Sequence, residues 1–299
     1  MIIRRQFIFY FFFLITVIGC SQTGNLNSHF NLSKPDDYFI LPPKLKEISG
    51  ITFYRKNKLA CVQDEKGKIY IYNIKKNELK ETVDFGENHD YEGIANVNDS
   101  LYVLQSNGKI YEVRGFETDS QKTIEHTTFL TKENNAEGIC FDKKNNRLLI
   151  ACKGAAGSDS TLINKKAIYA FDLVTNKLSA QPVYTIDLDS IRSYVEKLSP
   201  SKSFTESIKE KTDPAKGEES FQPSEIAIHP ITHEIYIIAS VGKLLIVLNT
   251  EGKIIEMDDL DPEIFKQPEG ITFDELGNMY ISDEGKNGKA NILRFNFNQ

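Results

Sequence analysis

Glu137-Gly138-Ile139-Cys140-Phe141, followed by Leu148-Leu149-Ile150-Ala151 and then Ala167-Ile168-Tyr169, is the stretch on which the fold turns. Four other segments repeat its opening: Ser49-Gly50-Ile51-Thr52-Phe53, Glu92-Gly93-Ile94-Ala95-Asn96, Ser224-Glu225-Ile226-Ala227-Ile228 and Glu269-Gly270-Ile271-Thr272-Phe273. Their starts lie 43, 45, 87 and 45 residues apart. Each is followed by a second apolar run, such as Leu101-Tyr102-Val103-Leu104, and a third, such as Lys68-Ile69-Tyr70-Ile71. Fourth runs are expected at Thr82 to Phe85, His126 to Leu130, Val183 to Asp187 and Ile254 to Met257. Four short alternating strands at this period predict propeller blades, which bury their faces against their neighbours and must therefore close a ring.

The expected fold is an all-β, five-bladed β-propeller over residues 37–299. A six-bladed alternative would need a degenerate blade in the 87-residue gap, which shows no four-strand alternation. The gap holds instead a long loop, Gly154 to Lys166, and a polar insertion over 188–222 with helical spacing from Ser190 to Leu198. The last unit runs out after three strands, so Tyr38-Phe39-Ile40-Leu41 is expected to supply its outer strand and remove the open edge.

Residues 1–19 read as a leader: Arg4 and Arg5 precede an apolar run, Phe7 to Ile18, too short to span a bilayer comfortably. The run ends in Val17-Ile18-Gly19-Cys20, which resembles the bacterial lipobox, so Cys20 is the expected lipidation site; a signal anchor with Cys20 as bystander is the alternative. Residues 20–36 are expected to be a tether, and the mature chain an exported, lipid-anchored envelope protein on the periplasmic side of the outer membrane. Three further cysteines, Cys61, Cys140 and Cys152, do not make a disulfide framework. Pairing Lys144 with Arg147 around Asn145-Asn146 sets Cys140 opposite Ala151 and Cys152 on the other face, so all three are expected as buried thiols.

With 42 acidic against 36 basic residues and a net charge of −6, the chain lacks the basic face that nucleic-acid binding needs. Mean hydropathy of −0.35 excludes a polytopic membrane protein.

Glu47-Ile48-Ser49-Gly50-Ile51, Asp90-Tyr91-Glu92, Ala136-Glu137-Gly138 and the closing Gln267-Pro268-Glu269-Gly270-Ile271-Thr272-Phe273-Asp274 resemble successive blades of the SdiA-regulated (YjiK-like) family. The resemblance implies a propeller in an envelope-associated bacterial protein and supplies no catalytic residues. Glu225, standing where the other repeats have glycine, departs from the pattern. A looser likeness links the Glu-Gly-Ile repeat to calcium-binding gluconolactonase-like and esterase-like phytase propellers.

In a propeller, the loops that open each blade and those between second and third strands share one face, here called the top. They gather Glu47, Glu92, Glu137, Glu225 and Glu269 with Asp64, Lys153 and Asp283. One expectation is a calcium site built on Glu92, Glu137, Glu269 and Asp283, with Glu47, Glu225, Lys153 and Asp64 contacting ligand. The other is that the repeated glutamates accept hydrogen bonds from neighbouring blade openings and hold the scaffold. G-x-S-x-G, H-E-x-x-H and phosphate-loop motifs are absent. The leading functional expectation is a membrane-tethered module binding a small ligand or an envelope protein through its acidic top face. The alternatives are a calcium-dependent hydrolase of lactone, ester or phosphate-ester substrates, with His89 as acid or base, and a purely structural envelope protein.

Overall fold

The computed structural model describes residues 29–298 apart from 158, 199, 200, 214, 217–219 and 287. The strands form five antiparallel sheets, one per blade, with inner strands Ile48–Arg55, Tyr91–Val97, Ala136–Asp142, Glu225–Ile228 and Pro268–Phe273. These are the five repeats read from the sequence, and the protein is a five-bladed β-propeller. Blade 5 is completed by the N-terminal strand Asp37–Ile40, which pairs antiparallel with Asn291–Phe295. Closure is thus by the expected exchange of ends.

The core is not one cluster but five, each lying between two blades. Val62, Ile71, Tyr91 and Val103 pack between blades 1 and 2. Leu104, Ile139, Ile150 and Phe171 pack between blades 2 and 3. Inner strands converge so closely that side chains cannot be accommodated everywhere. A Cβ on Gly93 would sit 2.8 Å from the Glu137 carbonyl oxygen, and one on Gly138 would sit 2.8 Å from the Glu225 Cα. Glycine is the residue that permits this approach.

Four of the five inner strands carry a β-bulge immediately before that glycine, between Ile48 and Gly50, Tyr91 and Gly93, Ala136 and Gly138, and Pro268 and Gly270. The extra residues are Ser49, Glu92, Glu137 and Glu269. Blade 4 pairs Glu225 with Ile238 and continues without a bulge. A bulge re-aims its side chain, so this difference decides which glutamates reach the axis.

Several expectations are corrected. Blade 2's outer strand runs Lys122–His126, ahead of the expected position. The hairpin at Asn145 is longer than assumed: Asp142 pairs with Arg147 and Cys140 with Leu149. The reason is a 3-10 turn over Lys143–Asn145, held by the Asp142 side chain and closed by Asn146 at φ 48°. The register moves by two residues, so Cys140 and Cys152 still fall on opposite faces; all three described cysteines are free and buried. The insertion holds two helices, α1 (Leu188–Leu198) and α2 (Lys202–Lys211), of which the spacing of apolar residues predicts only the first. Ile191, Val195 and Ile208 bury their apolar faces in the cluster between blades 3 and 4.

The expected tether is also shorter at its downstream end. Phe30 and Leu32 are buried between blades 4 and 5, with the Phe30 ring against His229, Tyr236, Phe273 and Phe297. His29 packs on Phe297 and pairs its Nδ1 with the Asn298 carbonyl at 2.9 Å. Leader and Cys20 lie outside the described residues. Among the described residues, no helix is long and apolar enough to cross a membrane.

Candidate functional site

The bulges turn Glu92, Glu137 and Glu269 toward the axis at the top, into a small cavity of about 100 Å³. Glu47, Asp64, Asp90 and Glu284 also line it, and Lys153 is its one basic residue. Lys153 Nζ lies 3.1 Å from Glu137 Oε1, which also accepts from Asn135 Nδ2 at 2.8 Å. Gln267 Nε2 donates to Glu269 Oε1 at 3.0 Å and also to Glu284. The Glu92 carboxylate has no hydrogen bond or ion pair among the described residues. Asp64 Oδ1 is buried without a partner among the described residues.

Crowding acids in a poorly solvated place disfavours their charged forms. Burial, then the neighbouring Glu137 and Asp90, hold the Glu92 carboxyl far above the ordinary range. Glu137 is also raised, by burial, against the opposing pull of Lys153. Burial raises Glu269 to about 7, and burial with Glu47 and Glu65 raises Asp64 to about 6. For Lys153 burial works downward, but the charges of Glu137, Glu269 and Glu92 outweigh it and the ammonium is held above its usual value.

The raised carboxyls have a stability consequence. A carboxyl raised in the folded state keeps a proton that the unfolded chain has released, so stability falls as pH rises between the two values. Glu269, raised from 4.5 to about 7, and Asp283, raised by burial from 3.8 to about 7, give that slope between roughly pH 5 and 7.5. A tenfold change in proton affinity corresponds to about 1.4 kcal/mol. His229, lowered from 6.5 by burial, opposes them below about pH 6.5. The melting temperature is therefore expected to fall on going from pH 5 to pH 8, and Glu269→Gln to flatten the decline. An unchanged slope in that variant would remove Glu269 from the account.

Of the other residues singled out in the sequence, Glu47, Asp64 and Lys153 line the cavity, whereas Glu225, Asp283 and His89 do not. Glu225, 1% exposed, lies between blades 3 and 4, where its Oε1 accepts the Ile139 N–H at 2.7 Å and its own following Ile226 N–H at 3.0 Å. It is a clasp of the scaffold. Asp283 is fully buried and accepts the Gln267 N–H at 2.9 Å. His89 is exposed on the rim with its ring against Tyr91. Of the four carboxylates expected to hold calcium, Glu92, Glu137 and Glu269 line the cavity and Asp283 does not; among the described residues, no group of three or more His, Cys, Asp or Glu side chains stands in a metal-holding arrangement. The positive charge inside the ring is Lys153. A second half-buried lysine stands beside it: Lys166, which donates to the Lys153 carbonyl at 2.6 Å and is lowered by burial. It lies at the start of the strand Lys165–Asp172, and nothing in the sequence there distinguishes it from a solvated lysine.

Below the acidic cavity, Ile51, Ile94, Ile139, Ile226 and Ile271 converge from all five blades. They roof a second cavity, about 830 Å³, which opens at the bottom between Lys143, Lys144, His233, Thr250 and Glu275. The isoleucine of each repeat thus separates a small acidic pocket from a wide amphipathic one.

This is a closed five-bladed propeller with an acidic axial pocket. Residues 181–287 match the model of the SdiA-regulated family, which carries the family resemblance from blade 3's outer strand through most of blade 5. A search of curated proteins gives no match. Among solved structures, the chain is similar to Myxococcus xanthus glutaminyl cyclase, at 11% identity over 89% of this chain and 96% of that one, with a TM-score of 0.54. It is also similar to a chain of the nidogen/laminin complex (13% identity, 82% and 74% covered, TM-score 0.51). A protein of unknown function from Bacteroides thetaiotaomicron aligns at 14% identity, over 84% of this chain and 56% of that one, with a TM-score of 0.50. At such identities the likeness concerns the fold alone.

Proposed function

We propose that the protein is a membrane-tethered binding module whose top pocket takes a small organic cation, free or at the tip of a larger partner. The observation that carries this reading is the lining of the pocket: seven carboxylates and one lysine around about 100 Å³. Water occupies about 30 Å³ per molecule in the liquid, so the space suits an alkylammonium or guanidinium head rather than a whole metabolite. A planar guanidinium offers five donors in a fixed fork, which matches carboxylates arranged around an axis. The unpartnered Glu92 is the acceptor with most to gain.

A cation entering this ring favours the ionised carboxyls, so binding releases protons and tightens with rising pH. Calorimetric titration with guanidinium and methylammonium is expected to show proton release, seen as a heat that varies with the buffer's ionisation enthalpy. Affinity should rise from pH 6 to pH 8, and Glu92→Gln should weaken binding about tenfold, the loss of one charge-assisted hydrogen bond. Calcium binding with both organic cations silent would overturn this reading in favour of a metal site.

A further inference from the structure

The described chain starts at the bottom of the propeller. His29 and Phe30 lie against Phe297, beyond the end of blade 5's third strand, and against His229 and Phe273 at the lower ends of two inner strands. From there the strand Asp37–Ile40 rises toward the top. Two bottom turns flank this point: Pro230 to His233, and Asp274 to Asn278. They touch one another, because His229 Nε2 lies 3.1 Å from the Gly277 carbonyl and a Cβ on Gly277 would sit 3.2 Å from Ile231 Cδ1. Each presents an apolar tip to solvent, Ile231 at 47% and Leu276 at 73% exposure, and the neighbouring bottom turn of blade 3 presents Val174 at 77%. The exposed Lys143 and Lys144, on the inner bottom turn of blade 3, line the mouth of the large cavity with His233 and Glu275. The bottom turns of blades 1 and 2, Arg55 to Lys58 and Asn98 to Ser100, are polar. The apolar tips are thus on the side where the N-terminal segment docks.

Only residues 21–28 separate His29 from Cys20. Nine Cα steps reach about 30 Å at full extension. An inner strand of seven residues spans about 23 Å, so rising along one blade alone would use most of that reach, and the linker holds the anchor nearer the bottom face than the top.

We propose that the bottom rim of blades 3, 4 and 5 rests on the lipid surface, with Val174, Ile231 and Leu276 entering the interface and Lys143 and Lys144 facing headgroups. The proposal rests on acylation of Cys20. The cavity of about 830 Å³ then opens toward the bilayer, and the acidic pocket faces away from it, toward soluble partners.

The test uses the full chain, expressed with its own leader in a bacterial host and reconstituted in phosphatidylethanolamine–phosphatidylglycerol vesicles carrying spin-labelled lipid. A bimane fluorophore is placed by Leu276→Cys on the bottom or by Glu65→Cys on the top; Cys61, Cys140 and Cys152 are buried and do not compete. Quenching at least threefold stronger at position 276 than at 65 is expected. Equal quenching, or stronger quenching at 65, in a protein whose N-terminal peptide has the acylated mass would overturn the orientation alone. A non-acylated N-terminus on a chain that Cys20→Ser does not release would overturn the anchor and the orientation with it.

Discussion

Gly138→Ala is expected to lower the melting temperature by about 10 °C or to leave no folded protein, from a single added methyl group. The Cβ would lie 2.8 Å from both the Glu225 Cα and the Ile226 nitrogen, and 2.9 Å from the Glu225 carbonyl carbon. All three are backbone atoms of the next blade, so no rotamer change relieves the contact. The inner strands of blades 3 and 4 would have to separate, opening the cluster that holds Leu149, Ile226, Ile237 and the two helices. It would also pull the Ile139 N–H from the Glu225 carboxyl, now 2.7 Å away. Overpacking costs about 1–3 kcal/mol where side chains can yield, and more is expected here. In a domain of this size about 3 kcal/mol corresponds to roughly 6–12 °C. Gly288→Ala is the control: its Cβ meets nothing within 4 Å, and a near-neutral effect is expected. If differential scanning calorimetry places Gly138→Ala within about 2 °C of the parent, less than the loss of even 1 kcal/mol would give, close approach is not why glycine stands there.

Phe30→Ala carries the second large expectation, a loss of about 3–5 kcal/mol. Phe30 is 2% exposed and its ring meets four others. Its removal leaves an aromatic-sized void between blades 4 and 5, beside the point where the ring of blades is closed. That seam joins the first strand to the last, so its loss weakens closure as well as packing. Lys34→Ala, exposed on the same segment, should change stability by less than about 0.5 kcal/mol. Denaturant midpoints at constant m separate the two cases. Equal midpoints for both variants would return residues 29–36 to the role of a loose tether.

The repeat was legible because each blade solves the same packing problem, so the strand period and the Gly-Ile pair recur where the blades meet. Both insertions could be located, since they interrupt that period. The site was less legible. Glu47, Glu92, Glu137, Glu225 and Glu269 look like one ring, yet Glu225 occupies the glycine's own position in an unbulged strand and turns into the space between blades. The structural equivalents of Glu92, Glu137 and Glu269 are Ser49 and Ser224, whose hydroxyls donate to the Tyr91 and Pro268 carbonyls, at 2.7 Å and 2.8 Å. Of these five equivalent positions, two are serines that bind scaffold and three are glutamates that face the pocket.

By itself the sequence determined the blade number, the exchange of ends that closes the ring and the face on which acidic residues collect, because those follow from local alternation and from chain direction. Only the tertiary structure decided which carboxylates meet, that Lys153 pairs with Glu137, and that Phe30 belongs to the core. Those outcomes depend on bulges and on contacts across hundreds of residues. A one-residue bulge reverses where a side chain points without changing the pattern of residue types.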